Sequence, residues 1–194
     1  KAAEEAKRKA EEVAKRKAEE EAAAKVKAEE EAEAIRKAEA EEKERNTIHW
    51  DAVERVVGKD KADQMKQGEG FTGTLNLSDK SITDEGCRTI APALRTMPNL
   101  KTLSLASNNI GDEGLAVLSN VVSAIPMLYK LGLYDNKIGN VGCQCLLELV
   151  ENDSLQSLTY LDLNGNPNIS SEELKTKFKR VWREKGKKTN YVFF

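Results

Sequence analysis

Residues 100–118 read LKTLSLASNNIGDEGLAVL. Leu103 and Leu105 alternate with polar residues, which is typical of a short strand with one buried face. Asn108 follows, and an amide side chain has both a donor and an acceptor with which to bond the backbone of a chain that is leaving a strand. The sequence DEG at 112–114 then supplies the negative charge that favours a helix N-terminus. The stretch therefore predicts one strand, one turn and one helix.

The same pattern returns along the chain with a period of 28 residues. Matching apolar residues occur 28 positions later, at 128–146, and 28 positions earlier, at 72–90; a fourth, partial copy at 158–169 is set 30 residues on. Pro98 and Pro126 lie at one phase of the repeat, where each is expected to end a helix. Such self-similarity is typical of a solenoid. Because one strand and one helix in 28 residues leave only short loops, each unit must pack on its neighbours, with parallel strands on one side and helices on the other.

These repeats resemble leucine-rich repeats of the ribonuclease-inhibitor type, over roughly residues 72–175. The predicted fold class is α/β: a leucine-rich repeat solenoid of about four strand-helix repeats, with the parallel sheet concave and the helices convex, preceded by a long, mostly solvated α-helix. The resemblance implies a non-catalytic scaffold that binds other proteins, often along the concave strand surface. The structural asparagines of the motif are Asn108, Asn136 and Asn166. Two departures lie at the ends of the array: Lys80 replaces the first asparagine, and residues 164–168 form an irregular turn.

Residues 1–45 have a composition of their own. They contain only Ala, Glu, Lys, Arg and three larger aliphatic residues, with 15 acids and 13 bases. Eight Glu residues have Lys or Arg four positions later, and each such pair stabilises a helix by roughly 0.2–0.5 kcal/mol. Val13, Val26 and Ile35 are too widely spaced to form a sustained coiled-coil seam. We therefore expect a solitary solvated rod or, as alternatives, an Ala-lined helix that pairs with another long helix of a larger assembly, or disorder.

Residues 46–70 are predicted to be an N-terminal capping helix and linker. Asn46 or Thr47 is the expected N-cap, and Gly58 offers a stop or a bend. The apolar residues of this helix are Ile48, Val53, Val56 and Val57. Such a helix would cover the exposed end of the first repeat. His49 has no nucleophile in a recognisable context beside it, so we interpret it as part of the packed cap.

The strands of residues 71–170 predict a binding surface. Side chains of a strand alternate between its two faces, so the residues between the leucines face away from the core. In the first two repeats these outward residues are small and polar, whereas the last two place Lys130, Tyr134, Tyr160 and Asp162 close together. Exposed tyrosine is a common anchor of protein interfaces. We predict a protein-binding site at these four residues, with an ordinary solvated surface as the alternative.

Residues 171–194 are predicted to form a C-terminal capping helix followed by an aromatic tail. The helix carries eight bases against three acids in residues 171–188. One interpretation is that its apolar face and the tail seal the last repeat. The other is that a docking tail of Tyr191, Phe193 and Phe194, or the basic side of the helix, binds an acidic partner. Nucleic acid is a third alternative through phosphate contacts, although no recognisable reading module accompanies the charge.

Chemically reactive side chains are sparse. The chain has three Cys and one His, and an odd number of cysteines favours a reducing compartment. Cys87 and Cys143 occupy the position of Leu115 in the middle repeat, so we expect them to be small buried apolar residues. We predict no enzyme activity, cofactor, metal or small-molecule substrate, and no segment apolar enough to cross a membrane. The chain begins at Lys1 without methionine, which suggests a fragment or a processed form; an organellar location therefore stays open beside a cytoplasmic or cytoskeletal one.

Two classes of function follow from these patterns. The first is a non-enzymatic interaction and structural subunit, in which a helical rod tethers the solenoid within a multi-subunit, cytoskeletal or axonemal assembly. The second is regulation of a small GTPase, because the repeats resemble those of the GTPase-activating protein for the nuclear-transport GTPase. That activity is not contained in the repeat motif, and four copies offer less surface than that family presents. A rate assay against a panel of GTPases separates the two.

Overall fold

The computed structural model describes residues 25, 27–37, 39, 43, 47–188 and 192–194. The chain divides into two compact units, Lys1–Thr47 and Ile48–Phe194. In the first unit, residues 27–37 are helical and exposed, and Ile35 is 59% exposed. The rest of the helix predicted for residues 1–45 lies mostly outside the described residues, and its solitary or paired state stays a prediction.

The second unit is built on a five-stranded parallel sheet whose strands follow chain order. The strands are β1 (Gly73–Asn76), β2 (Leu100–Ser104), β3 (Lys130–Gly132), β4 (Tyr160–Asp162) and β5 (Val192–Phe193). In the register of the first four strands, Leu75, Leu103, Leu131 and Leu161 stand side by side. The predicted parallel stack of repeats is therefore confirmed, and the fifth strand is an addition that the repeat pattern did not predict.

Helices alternate with these strands. They are α1 (Trp50–Val57), α2 (Lys59–Met65), α3 (Asp84–Arg95), α4 (Asp112–Val122), α5 (Asn140–Glu151) and α6 (Glu172–Glu184), with a short 3₁₀ turn at Gly68–Gly70. Each of α3 to α6 follows one strand, and α3, α4 and α5 each pack on the next helix in order. Acidic residues occupy the first turn of α3, α4 and α6, where unpaired N–H groups favour negative charge.

The core lies between the sheet and the helices. Its repeating members are buried at every rung: Leu75, Leu103, Leu131 and Leu161; Leu77, Leu105, Leu133 and Leu163; Ile82, Ile110, Ile138 and Ile169. Full burial of such a side chain stabilises the fold by about 1.5–3 kcal/mol. Cys87 and Cys143 are fully buried like Leu115, as predicted. Burial raises the pKa of each of these two thiols to about 12.

The amino end of the array is covered by α1 and α2. The first packs on α3 and the second on β1. Val53 and Val57 of α1 are buried, as are Ala62 and Met65 of α2. Gly58 separates the two helices and has φ 85°, a left-handed conformation that glycine adopts without steric cost.

The predicted N-cap of this region is wrong. The helix begins at Trp50, and neither Thr47 nor the N-cap residue His49 caps it with a side chain. The Thr47 hydroxyl instead donates a hydrogen bond to the carbonyl oxygen of Lys43, four residues earlier in the chain, at 2.8 Å. Asn46 lies outside the described residues.

Candidate functional site

Buried asparagines hold the turns that follow the strands. They are Asn108, Asn136 and Asn166. The side-chain amide of Asn136 donates three hydrogen bonds, to the carbonyl oxygens of Leu105, Leu133 and Tyr134 at 2.9, 3.2 and 3.2 Å. Its Oδ1 accepts from the Ile110 N–H at 3.0 Å, and the other two asparagines bond in the same manner. Because the partners lie in the asparagine's own repeat and in the one before it, this asparagine ladder fixes the spacing of the turns.

A second polar ladder, which the repeat pattern did not predict, joins the helix N-termini. Asp84 Oδ1 accepts from the Gly111 N–H at 2.7 Å, and Asp112 Oδ1 accepts from the Gly139 N–H at 2.6 Å. At the last seam Asn140 takes this place and accepts from the Ser170 N–H at 3.0 Å. Each side chain therefore links one repeat to the next.

Two glycines, Gly114 and Gly142, leave the space that the side chains of the aspartate ladder occupy. A Cβ at Gly114 would lie 2.4 Å from Asp84 Oδ1, and one at Gly142 would lie 2.6 Å from Asp112 Oδ1. No side chain fits at such distances, so these glycines are required by the approach of the preceding repeat. The sequence alone predicts the aspartates only as favourable charge at a helix N-terminus, although a glycine follows each two residues later.

The turns share a further feature that shapes the carboxyl edge of the sheet. Asp79, Ser107, Asp135 and Gly165 occupy one phase of the repeat, and all have positive φ, between 52° and 71°. The N–H groups of Asp79, Ser107 and Asp135 donate to the next repeat at 3.1, 2.8 and 2.8 Å. The backbone ladder thus continues beyond the strands, so the surface at their carboxyl ends is held in place.

The concave surface changes character along the array. On the early rungs it is small and polar, and Ser78 and Ser104 share a hydrogen bond of 2.8 Å between their hydroxyls. Thr102, which the alternation places on this face, is only 8% exposed, so it contributes little accessible surface. Larger side chains begin at β3.

The four residues predicted as a binding site occupy β3, β4 and the turn after β3; we call them the concave cluster (Lys130, Tyr134, Tyr160 and Asp162). Lys130 pairs with Tyr160 in the sheet register, and its ammonium lies 4.3 Å from the centre of the Tyr160 ring, a cation–π contact. Burial, with the Asp162 carboxylate, raises the pKa of the Tyr160 phenol. Asp162 pairs with Gly132, and Tyr134 lies two residues beyond that glycine with its side chain 47% exposed. The structure therefore brings Lys130 and Tyr160 into contact and places the other two along the same face.

The aromatic tail is placed by β5. Phe193 pairs with Asp162, and its ring lies 5.5 Å from that of Tyr160, which extends the concave cluster by one aromatic residue. Phe194 points the other way and packs edge-on against Phe178 of α6 at 5.4 Å. These contacts favour a sealing role for Phe194 over free docking; Tyr191 lies outside the described residues.

Several basic side chains of α6 and its following turn form salt bridges or hydrogen bonds within the protein. Lys175 pairs with Glu172, Lys177 with Glu151 and Lys185 with Asp153, at 2.7, 3.0 and 2.7 Å. Lys187 donates to three carbonyls of the 155–158 turn, at 2.5 to 2.9 Å, and its ammonium lies 5.2 Å from the Trp182 ring. Burial lowers the pKa of Lys187. Lys177, Lys185 and Lys187 therefore tie the closing helix and its following turn to the last repeats, whereas the Lys175 pair lies within the helix.

Within the described residues, no group of three or more His, Cys, Asp or Glu side chains could hold a metal ion. Nor is any helix in that part of the chain long and apolar enough to cross a membrane. His49 is exposed at the start of α1, so the prediction that it is part of the packed cap is wrong.

Comparison with known proteins agrees with the geometry. A Leucine Rich repeat family matches residues 96–119 and 154–172. The fold is a leucine-rich repeat solenoid with repeats of the ribonuclease-inhibitor type, as the resemblance implied.

Among solved structures, one similar chain is described as Leiomodin-1 Actin-Binding Site 2, with TM-score 0.57, 17% identity, and coverage of 68% of this chain and 76% of that one. Another is a Caenorhabditis elegans tropomodulin C-terminal domain, with TM-score 0.49, 14% identity, and coverage of 66% and 94%. The first likeness supports the fold alone. No curated protein sequence matches the chain.

Proposed function

We propose that the chain is a non-catalytic interaction subunit that binds another protein through its concave face. The observation that carries the proposal is the concave cluster, in which Lys130, Tyr134, Tyr160 and Asp162 join Phe193 on one side of the sheet. Aromatic side chains with charged neighbours are the groups that most often dominate the energy of protein interfaces. The two polar ladders beneath them hold the backbone, so little ordering cost opposes binding.

A cytoskeletal assembly is the context we propose for this subunit. One structural neighbour is described as an actin-binding site, which makes actin the first partner to test. The helix-forming segment of residues 1–45 would tether the solenoid within such an assembly. The charge signs of that segment nearly cancel, which suits a solvated rod or a helix partner better than nucleic acid.

The test is co-sedimentation of the full chain with actin filaments, together with a binding titration against actin monomers. We expect Tyr134→Ala with Tyr160→Ala to weaken binding at least about tenfold, since exposed tyrosines of this kind act as anchors. Tyr134→Ala alone should leave the melting temperature unchanged because Tyr134 is exposed, whereas Tyr160→Ala also removes the ring contacts with Lys130 and Phe193 and should lower it slightly. Val141→Ala is the matched control, since Val141 is an exposed apolar residue of the same repeat on α5. Absence of binding by the native chain would exclude actin, and equal binding by the double variant would exclude the concave cluster.

The alternatives have less support. Nucleic-acid binding would need accessible bases, whereas Lys175, Lys177, Lys185 and Lys187 are engaged within the fold. Regulation of a small GTPase has no specific contact in its favour among the described residues. Measuring the GTP hydrolysis rate of a GTPase panel with the full chain tests it directly.

A further inference from the structure

The third repeat differs from its neighbours at exposed positions. Within the described residues of the second unit, all large apolar side chains classed as exposed fall in this repeat: Met127, Tyr129, Tyr134 and Val141. The residues at the same phase in the preceding repeat are Asn99, Lys101, Ala106 and Glu113. The preceding repeat acts as an internal control, because the same backbone carries small or polar residues there. The fold therefore does not require these large apolar groups on the surface.

Two of these groups stand at the ends of β3. Tyr129 immediately precedes the strand and is 47% exposed, as is Tyr134 beyond its other end. Five residues of extended chain separate them, which corresponds to roughly 17 Å. Gly132 lies between them without a side chain, and a Cβ there would meet Ser104 Oγ only at 3.5 Å, an ordinary contact. Alternation places Tyr134 on the same face as Lys130 and Gly132, so the β3 strip, residues 130–134, is an open track with an aromatic ring at its carboxyl end.

Charges of opposite sign lie at the two ends of the β3 strip. Lys130 stands at the amino end of β3. Asp162 ends β4, and Asp135 follows Tyr134. Neither carboxylate has a Lys or Arg nitrogen within 4 Å among the described residues, whereas acids such as Glu85, Glu151 and Asp153 elsewhere in the unit are paired. The strip therefore runs from a basic end to an acidic end.

We infer that the β3 strip binds a short segment of a partner protein that carries apolar side chains between an acidic end and a basic end. The apolar side chains contact Tyr134 and lie over Gly132, the acidic end lies by Lys130, and the basic end lies by the carboxylates of Asp135 and Asp162. Opposite charges at the two ends fix the direction of the segment, since the reversed orientation places like charges together. This inference rests on the proposed concave-face function and adds the chemistry and polarity of the partner.

The test selects binders to the full chain from a displayed library of random linear peptides. We expect the enriched peptides to carry acidic residues at one end, apolar residues in the middle and basic residues at the other end. Asp135→Asn with Asp162→Asn should weaken them about tenfold, because both changes remove charge and keep an acceptor oxygen. Asn also tolerates the positive φ of Asp135, 54°. Glu148→Gln with Glu173→Gln is the control, because both acids are exposed on helices α5 and α6.

Blocking the track gives an independent readout. Gly132→Gln adds a side chain over the middle of the strip, and we expect it to abolish peptide binding without lowering the melting temperature. Gly70→Gln is the matched control, since a Cβ there has no neighbour within 4 Å. Peptides that bind Gly132→Gln normally, or a selection that enriches none, would overturn the β3 strip as the site. Peptides blocked by Gly132→Gln but without charge asymmetry would overturn the polarity and leave the concave-face function standing.

Discussion

Replacing Asn136 by alanine should cause one of the largest losses of stability available from a single polar side chain of this chain. The asparagine is 4% exposed and sits in the middle of the asparagine ladder. Alanine would remove four hydrogen bonds at once. Three carbonyls would lose a donor, and the buried Ile110 N–H would lose its acceptor.

The size of the loss follows from these bonds. A hydrogen bond within a folded protein contributes about 1 kcal/mol net, and a buried group left without a partner costs about 1–3 kcal/mol. The Ile110 N–H has no water-accessible alternative because it is buried beside the asparagine. We therefore expect Asn136→Ala to lower the free energy of unfolding by about 4 kcal/mol, a large part of the 5–15 kcal/mol typical of a domain.

Urea unfolding of the full chain, followed by tryptophan fluorescence, measures this quantity. Trp50 and Trp182 both belong to the second unit, so the signal reports the solenoid and not the N-terminal segment. Asn120→Ala on the exposed side of α4 is the control, and it should be neutral or slightly stabilising because alanine favours helix. A loss below about 1 kcal/mol for Asn136→Ala would refute the reasoning, since it would mean that water or a shifted backbone replaces the bonds.

Three other perturbations test the remaining parts of the fold. Asp112→Ala removes the acceptor of the Gly139 N–H and should cost about 1–3 kcal/mol in the same urea assay, whereas Asp112→Asn should cost less; equal stability of the alanine variant would contradict a stabilising aspartate ladder. Cys87 and Cys143 keep their protons in the folded state until about pH 12, while unfolded thiols ionise near pH 9, so stability should fall as pH rises above 9, by about 1.4 kcal/mol per thiol at pH 10. A Cys87→Ala, Cys143→Ala variant should show a shallower alkaline decline, and parallel curves would refute the assignment. Lys187→Met should lower the melting temperature and increase acrylamide quenching of tryptophan fluorescence, because the closing turn loses three hydrogen bonds; unchanged quenching would show that these bonds do not hold the closing turn over Trp182.

The rungs of the solenoid could be predicted because their signal is local and repeated. Leu103 and Leu131 hold the same position in successive repeats, and so do Asn108 and Asn136. The structure of one repeat therefore predicts that of the others. Burial of the leucines and the parallel register follow from that phase, since only stacked neighbours can cover the apolar faces.

The features that escaped prediction depend on contacts distant in the sequence. Strand β5 has two residues and no repeat signature, and it exists because Val192 pairs with Leu161. The bond from Asp112 reaches Gly139, 27 residues away, so inspection of one helix start could not reveal it. The position of the concave residues followed from alternation, but the cation–π contact of Lys130 depends on rotamers that no sequence pattern specifies.

The two polar ladders have a consequence for how an array of this kind can grow. The seam between the first and second repeats and the seam between the second and third use the same pair of bonds, with an aspartate facing a glycine and an asparagine spanning the turns. A duplicated unit inserted in phase between them would find the partners of both ladders supplied on both sides. The seam at Asn140 lacks this interchangeability, because serine backbone groups replace the glycine there. We therefore expect the array to accept an additional whole repeat in the amino-terminal half of the sheet more readily than at its carboxyl-terminal end.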